Sequence, residues 1–262
     1  MSHFSLLVIT KEKPTDHLLQ SKLSPFDENI EVPEYISYTK EQLIKNQKVD
    51  IKKAMERYSL YKKDPENNPI NEEYYNKTYP RLIKAMEEND EATLYLQAIK
   101  YYEKEEIDKN GNILSTYNPK SKWDWYVIGG RFSGAISDEG DIIQAKDFPY
   151  NKLDKDNLIK DYPTEYEEYK NLLSGKTKSF YNLKYLNERY PTFYDYILET
   201  KTTTTYAVLD EDNEWHEPGS IGWFGISSST TEDEINWTKN YYHKFIEHLP
   251  PEYYLTVVDC HI

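Results

Sequence analysis

The chain of 262 residues holds a single cysteine, Cys260. One thiol excludes an intrachain disulfide and a thiolate zinc cage, and it fits a reducing compartment. Glycine is scarce, with nine residues and none before Gly111. Long apolar runs are missing too. The opening "MSHFSLLVIT" has no basic leader, and its apolar stretch is too short for a signal peptide or a membrane span. A cytoplasmic protein with no membrane association is expected. Positive charge is in deficit: 32 Lys and Arg face 46 Asp and Glu, a formal net charge of −14. Such a field repels phosphate backbones and excludes broad nucleic-acid binding. Lys is interspersed with Glu and no long acidic block occurs, so the acidity reads as solubility rather than mimicry of a nucleic-acid surface. There is no nucleophile elbow, HExxH, dinucleotide fingerprint, Walker loop or kinase set.

Aromatic residues are abundant. Twenty-six tyrosines, eight phenylalanines and five tryptophans bring the aromatic share to 15%. Tyr pairs a large apolar ring with a polar tip, so the core is richer than the 38% hydrophobic content suggests. The composition is not that of a disordered chain, and the length suits one domain with large insertions.

Residues 3–10 read as a strand with apolar side chains on both faces, hence central and buried. "TKEQ" at 39–42 has capping-box spacing, Pro80 suits the first turn of a helix and Asp90 can cap another. Helices are predicted at about 40–62, 80–88 and 91–106, and strands at 125–128 and 132–136 with a short one at "IIQA". Residues 150–200 turn helical again, with "TEYE" at 164–167 as a capping box and Gly175 as a stop. "TYAVLD" and "EWHEP" form a hairpin, and "TEDE" at 231–234 opens a helix presenting Ile235, Tyr242, Phe245, Ile246 and Leu249 on one face. "YYLTVVDCHI" closes as a strand. The predicted fold is a single α+β domain over 1–262. Its mainly antiparallel sheet has the N- and C-terminal strands at its centre, helices on one face and helical insertions at about 39–106 and 150–200.

Four of the five tryptophans fall in two stretches. In "KWDWYVIGGRF", Trp123 and Trp125 share a strand face while Asp124 takes the other. Gly129 and Gly130 leave amides open to a ligand, and Arg131 offers a planar fork for phosphate or carboxylate. In "EWHEPGSIGWFG", Trp215 and Trp223 lie beside Gly residues and His216, a group able to bind a ligand or exchange a proton. Together these form a candidate nucleotide-sized site. The plainer alternative is a Trp-filled core with a Gly-Gly bulge and Arg131 paired to Asp124. A third cluster follows from pairing the two ends: His3, Ser5, Asp259 and His261 would then gather, as a two-His, one-carboxylate metal set, an acid–base group or a structural network. Cys260 would face the other way as a small buried hydrophobe. No cofactor is implied.

The pieces "MSHFSLLVI", "NPKSKWDWYVIGGRFSG", "TTYAVLDEDNEWHEPGSIGWFG" and "LTVVDCHI" resemble a family of uncharacterised proteins from tailed bacteriophages and prophages. They cover about a fifth of the chain, in order from end to end. Phe132 stands where the family pattern has Trp, Phe224 replaces a second Trp, and the helical stretches do not align. The resemblance implies an accessory phage protein made inside an infected bacterial cell, of the kind that blunts host defence. Three readings stay open. The first is a non-catalytic sponge for a nucleotide-derived immune signal, and the second an inhibitor of a host defence protein acting through the Tyr-rich helices. The third is an enzyme on a nucleotide or small metabolite, using His216 or the His3, Asp259 and His261 group. Homo-oligomerisation is compatible with all three.

Overall fold

The structure is a computed structural model describing residues 2–138, 140–150, 153–222 and 226–262. Where the sequence suggests one domain, the chain divides into two compact units, one of residues 1–30 with 118–262 and one of 31–117. Along the chain, β1 (His3–Thr10) and α1 (Asp16–Leu23) belong to the first unit. The second is built of β2 (Tyr35–Tyr38), α2 (Lys40–Lys63), α3 (Glu72–Glu87), α4 (Glu91–Ala98) and β3 (Ile113–Ser115). The first then resumes with β4 (Trp125–Ile128), β5 (Ile142–Gln144), α5 (Leu158–Asp161), α6 (Pro163–Leu173), α7 (Leu183–Arg189) and α8 (Phe193–Lys201). It ends with β6 (Ala207–Leu209), β7 (Trp215–His216), α9 (Thr231–Phe245) and β8 (Tyr254–His261).

The larger unit is an α+β fold around a six-stranded sheet in the order β4-β8-β1-β6-β7, with β5 also on β8. All pairings are antiparallel except β1 with β6. The terminal strands pair along their whole length at the centre, as expected, with His3 opposite His261 and Ser5 opposite Asp259. Alternation along β1 sends Leu7 and Ile9 to one face and Phe4, Leu6 and Val8 to the other. The first face packs on Tyr241, Phe245, Ile246 and Leu249 from α9 and the segment after it. The second face also carries a helix: Leu19 and Leu23 of α1 cover it together with Phe26 and Trp123. A strand buried on both sides requires that second cover, since a fully buried Leu or Val contributes about 1.5–3 kcal/mol.

Cys260 lies on the α1 face, fully buried, and burial drives its thiol well above the ordinary range. Because the thiolate is the reactive form, the native protein is expected to leave a thiol-specific chromogenic reagent unconsumed over hours. The denatured chain should react with one equivalent at once, and a rapid native reaction would contradict the burial.

The smaller unit packs α2, α3 and α4 around Ile44, Ile51, Leu82, Ala85 and Leu94, beside a β2–β3 ribbon. Thr39 closes the expected capping box with Gln42, and Asp90 caps α4 by accepting from the Thr93 amide. The second predicted helix begins eight residues early. Asn71 caps α3, and Pro80 sits exposed inside it rather than in its first turn. The third ends at Ala98, short of 106.

Other expectations shift in the larger unit. Residues 132–136 are not a strand: Phe132 ends a short 3₁₀ helix and a turn and a bend follow. Helix α6 starts on Pro163 without a side-chain cap instead of at "TEYE". The cap of α9 is Thr230 with Asp233, one residue before "TEDE". Gly175, at φ +74°, does lie just past the end of α6. Among the described residues, no helix is long and apolar enough to cross a membrane.

Candidate functional site

The sheet end formed by β1, β8 and β4 brings together side chains that lie over a hundred residues apart in sequence. Strand alternation puts His3, Asp259 and His261 on the face that α9 covers farther along, and pairing of β4 with β8 sets Trp125 against His261. His3 Nδ1 lies 2.7 Å from Asp259 Oδ1, and His261 Nδ1 lies 2.6 Å from Asp124 Oδ1. An ionised carboxylate only accepts, so each ring donates through Nδ1 and keeps Nε2 outside that bond. The imidazole centroids are 5.0 Å apart, edge to face. The Trp125 indole stacks on His261 at 5.1 Å and 15°, and His3 meets the same indole edge-on at 5.2 Å.

Burial sharpens the picture. Asp259 is 2% exposed and His261 6%, whereas Trp125 is 44% exposed. His261 Nε2 is buried without a hydrogen-bond partner among the described residues. Leaving such a group unsatisfied costs about 1–3 kcal/mol. Trp125 is thus a half-exposed cover over a histidine that lacks one partner.

Asp259 is fully engaged, because its Oδ2 accepts from the Arg131 amide at 2.9 Å. The His3, Asp259 and His261 set therefore gathers, but its carboxylate orients a ring and anchors a loop rather than facing a cation. Among the described residues, no group of three or more His, Cys, Asp or Glu is arranged to hold a metal ion.

The paired glycines do something other than cradle a phosphate. Gly129 and Gly130 take φ of +68° and +54°. The Gly129 amide bonds Val257 O, and the loop curls around two carboxylates, Asp259 and Asp141. Asp141 accepts from the Ser133 hydroxyl and the Gly134 amide. Here the protein supplies its own anions to the loop. Arg131 is exposed and pairs with no carboxylate among the described residues. Its expected partner Asp124 is held by His261 instead.

The two tryptophan-rich stretches do not converge on one cavity. Trp123 is 5% exposed, in the core on the α1 face. Trp215 packs on that same face against Phe4 and Phe26, and its indole N–H donates to Glu217. Trp125 alone of these three points to the opposite face. The reason is that β4 begins only at Trp125, while Trp123 precedes it in an isolated bridge to Asp27 that sends its ring into the core beneath α1. Trp223 lies outside the described residues. His216 is tied to Asp210 at 2.7 Å and packs on Phe245, so it stabilises the β6–β7 turn. Asp210 is partly desolvated, yet the His216 bond and turn amides hold its carboxyl below the usual range.

No motif in the sequence marks Asp141, whose role depends on a loop closing over it. Asp124 stands out in the sequence, but its partner His261 becomes visible only through the β4–β8 register. Comparison of the chain with protein-family models, curated proteins and solved structures finds no match.

Proposed function

We propose that the His3, Asp259, His261, Asp124 and Trp125 cluster captures a small nucleotide-derived molecule and holds it without transforming it. On this reading the protein is an accessory phage product that sequesters an immune signal inside the infected cell. The observation that carries it is the buried, unpartnered Nε2 of His261 beneath a half-exposed indole. A ligand that displaces Trp125 sideways, or stacks on it, supplies the missing partner. Stacking on an aromatic side chain contributes about 1–3 kcal/mol, and a charge-assisted hydrogen bond about 1.5–3 kcal/mol. Arg131, whose amide borders the cluster and whose guanidinium is unpaired among the described residues, is a free clamp for phosphate. These contacts must outweigh both association entropy and the −14 net charge.

Acid–base catalysis on the same ligand class is the second reading. It is favoured by two adjacent imidazoles, each oriented by a carboxylate. One experiment separates the two. The protein is incubated with cyclic and linear nucleotides, washed and heat-denatured, and the released material is analysed. Intact nucleotide is expected, and His261→Gln, Trp125→Ala and Arg131→Ala should each reduce capture roughly tenfold, about 1.4 kcal/mol. A chemically altered product would establish catalysis instead. Unchanged capture by all three folded variants would remove this site from consideration.

A further inference from the structure

The smaller unit holds a cavity that the preceding reading does not use. It lies along α2 and α3, with a volume of about 700 Å³, within the 300–1,000 Å³ range of small-molecule sites. Its lining includes Lys53 and Arg57 from α2 and Tyr74, Tyr75 and Tyr79 from α3. Lys53 and Arg57 are four residues apart and so share a helix face.

The charge of this wall runs against the rest of the molecule. In a chain of net charge −14, α2 alone carries eight Lys and Arg against three Asp and Glu. Neither Lys53 nor Arg57 pairs with a carboxylate among the described residues, although Asp50 shares the lining. In the first turn of α3, Glu72 is already held by Lys62 at 2.6 Å and by the Tyr61 hydroxyl at 3.0 Å. Tyrosines of the two helices stack into an aromatic ladder beside these cations. Tyr58 stacks on Tyr75 at 4.0 Å and 2°, and Tyr75 on Tyr79 at 5.1 Å. Tyr74 meets Tyr79 edge-on and remains 50% exposed.

Unpaired cations and tyrosine rings lining one nucleotide-sized hollow call for an anion with a flat ring. We infer that this groove binds a nucleoside monophosphate, with its base on Tyr74 and its phosphate on Arg57 and Lys53. Guanidinium matches phosphate in a bidentate fork, and base stacking tolerates any base. Asp50 is then an acceptor for a ribose hydroxyl or a base amine. The groove lies in a different unit from the histidine cluster, so this inference stands or falls independently of the proposed function.

The test titrates the full-length protein with AMP by calorimetry, with adenosine and inorganic phosphate as separate arms. Saturable AMP binding is expected, at least tenfold tighter than either fragment. The double variant Lys53→Gln with Arg57→Gln, and separately Tyr74→Ala, should weaken it at least tenfold while the far-ultraviolet spectrum is preserved. The inference is overturned if AMP fails to saturate the protein at millimolar concentration. It is equally overturned if the folded double variant binds AMP as well as the wild type, or if a polyglutamate peptide binds where AMP does not.

Discussion

Gly130→Ala is expected to destabilise the larger unit by about 3 kcal/mol and to abolish ligand capture at the histidine cluster. Two effects add. Gly130 sits at φ +54°, where a residue with a Cβ is strained by about 1–3 kcal/mol. The new methyl would also lie 2.5 Å from Asp259 Oδ2, 2.6 Å from its Cβ and 2.8 Å from Val127 Cγ1. Overpacking of that kind costs about another 1–3 kcal/mol. The displaced group is the carboxylate that orients His3 and anchors the Arg131 amide. Urea unfolding gives the stability loss, and the capture assay gives the functional one. A variant within 0.5 kcal/mol of wild type, well inside the ~1 kcal/mol floor of the strain estimate, would show that the loop is softer than its geometry implies.

Tyr241→Ala should cost about 3–5 kcal/mol, a large share of the roughly 5–15 kcal/mol that stabilises an ordinary domain. Tyr241 is fully buried where α9 meets the sheet. It packs on Phe148, Phe245 and Trp237, and its hydroxyl lies 2.7 Å from Thr205 Oγ1. Desolvation raises its phenol further above the usual range, so the ring stays neutral throughout physiological pH. Tyr241→Phe separates the contributions: it keeps the ring and loses one hydrogen bond, so about 1–2 kcal/mol is expected. Equal losses in the two variants would contradict a packing role.

The α+β class, the central pairing of the two ends and the meeting of His3, Asp259 and His261 were legible in the sequence because strand alternation is local and strict. The amphipathic stripe leading through α9 was legible from the helical period of 3.6, although its most buried member, Tyr241, reads as just another tyrosine among 26. Side assignment was not legible. Trp123 and Trp125 stand two apart and should share a face of a regular strand, but β4 begins only at Trp125. Trp123 precedes it in an isolated bridge to Asp27 that turns its ring into the α1 core. The fate of Gly129 and Gly130 was equally hidden, since a glycine pair beside an arginine looks the same whether it wraps a phosphate or a side-chain carboxylate. The length of α3 escaped because Pro80 is tolerated on its exposed side, where a helix-start rule would have placed a boundary.

The pairing of β1 with β8 joins residues some 250 positions apart, since His3 lies opposite His261. On the ribosome, β1 therefore waits for the intervening residues to be made before its principal neighbour exists, and long-range pairing of this sort is intrinsically slow. The helical unit of residues 31–117 closes from within itself and can mature while the sheet is still incomplete. Both histidines of the cluster lie on those late-meeting strands, so the cluster assembles only after β8 has been made.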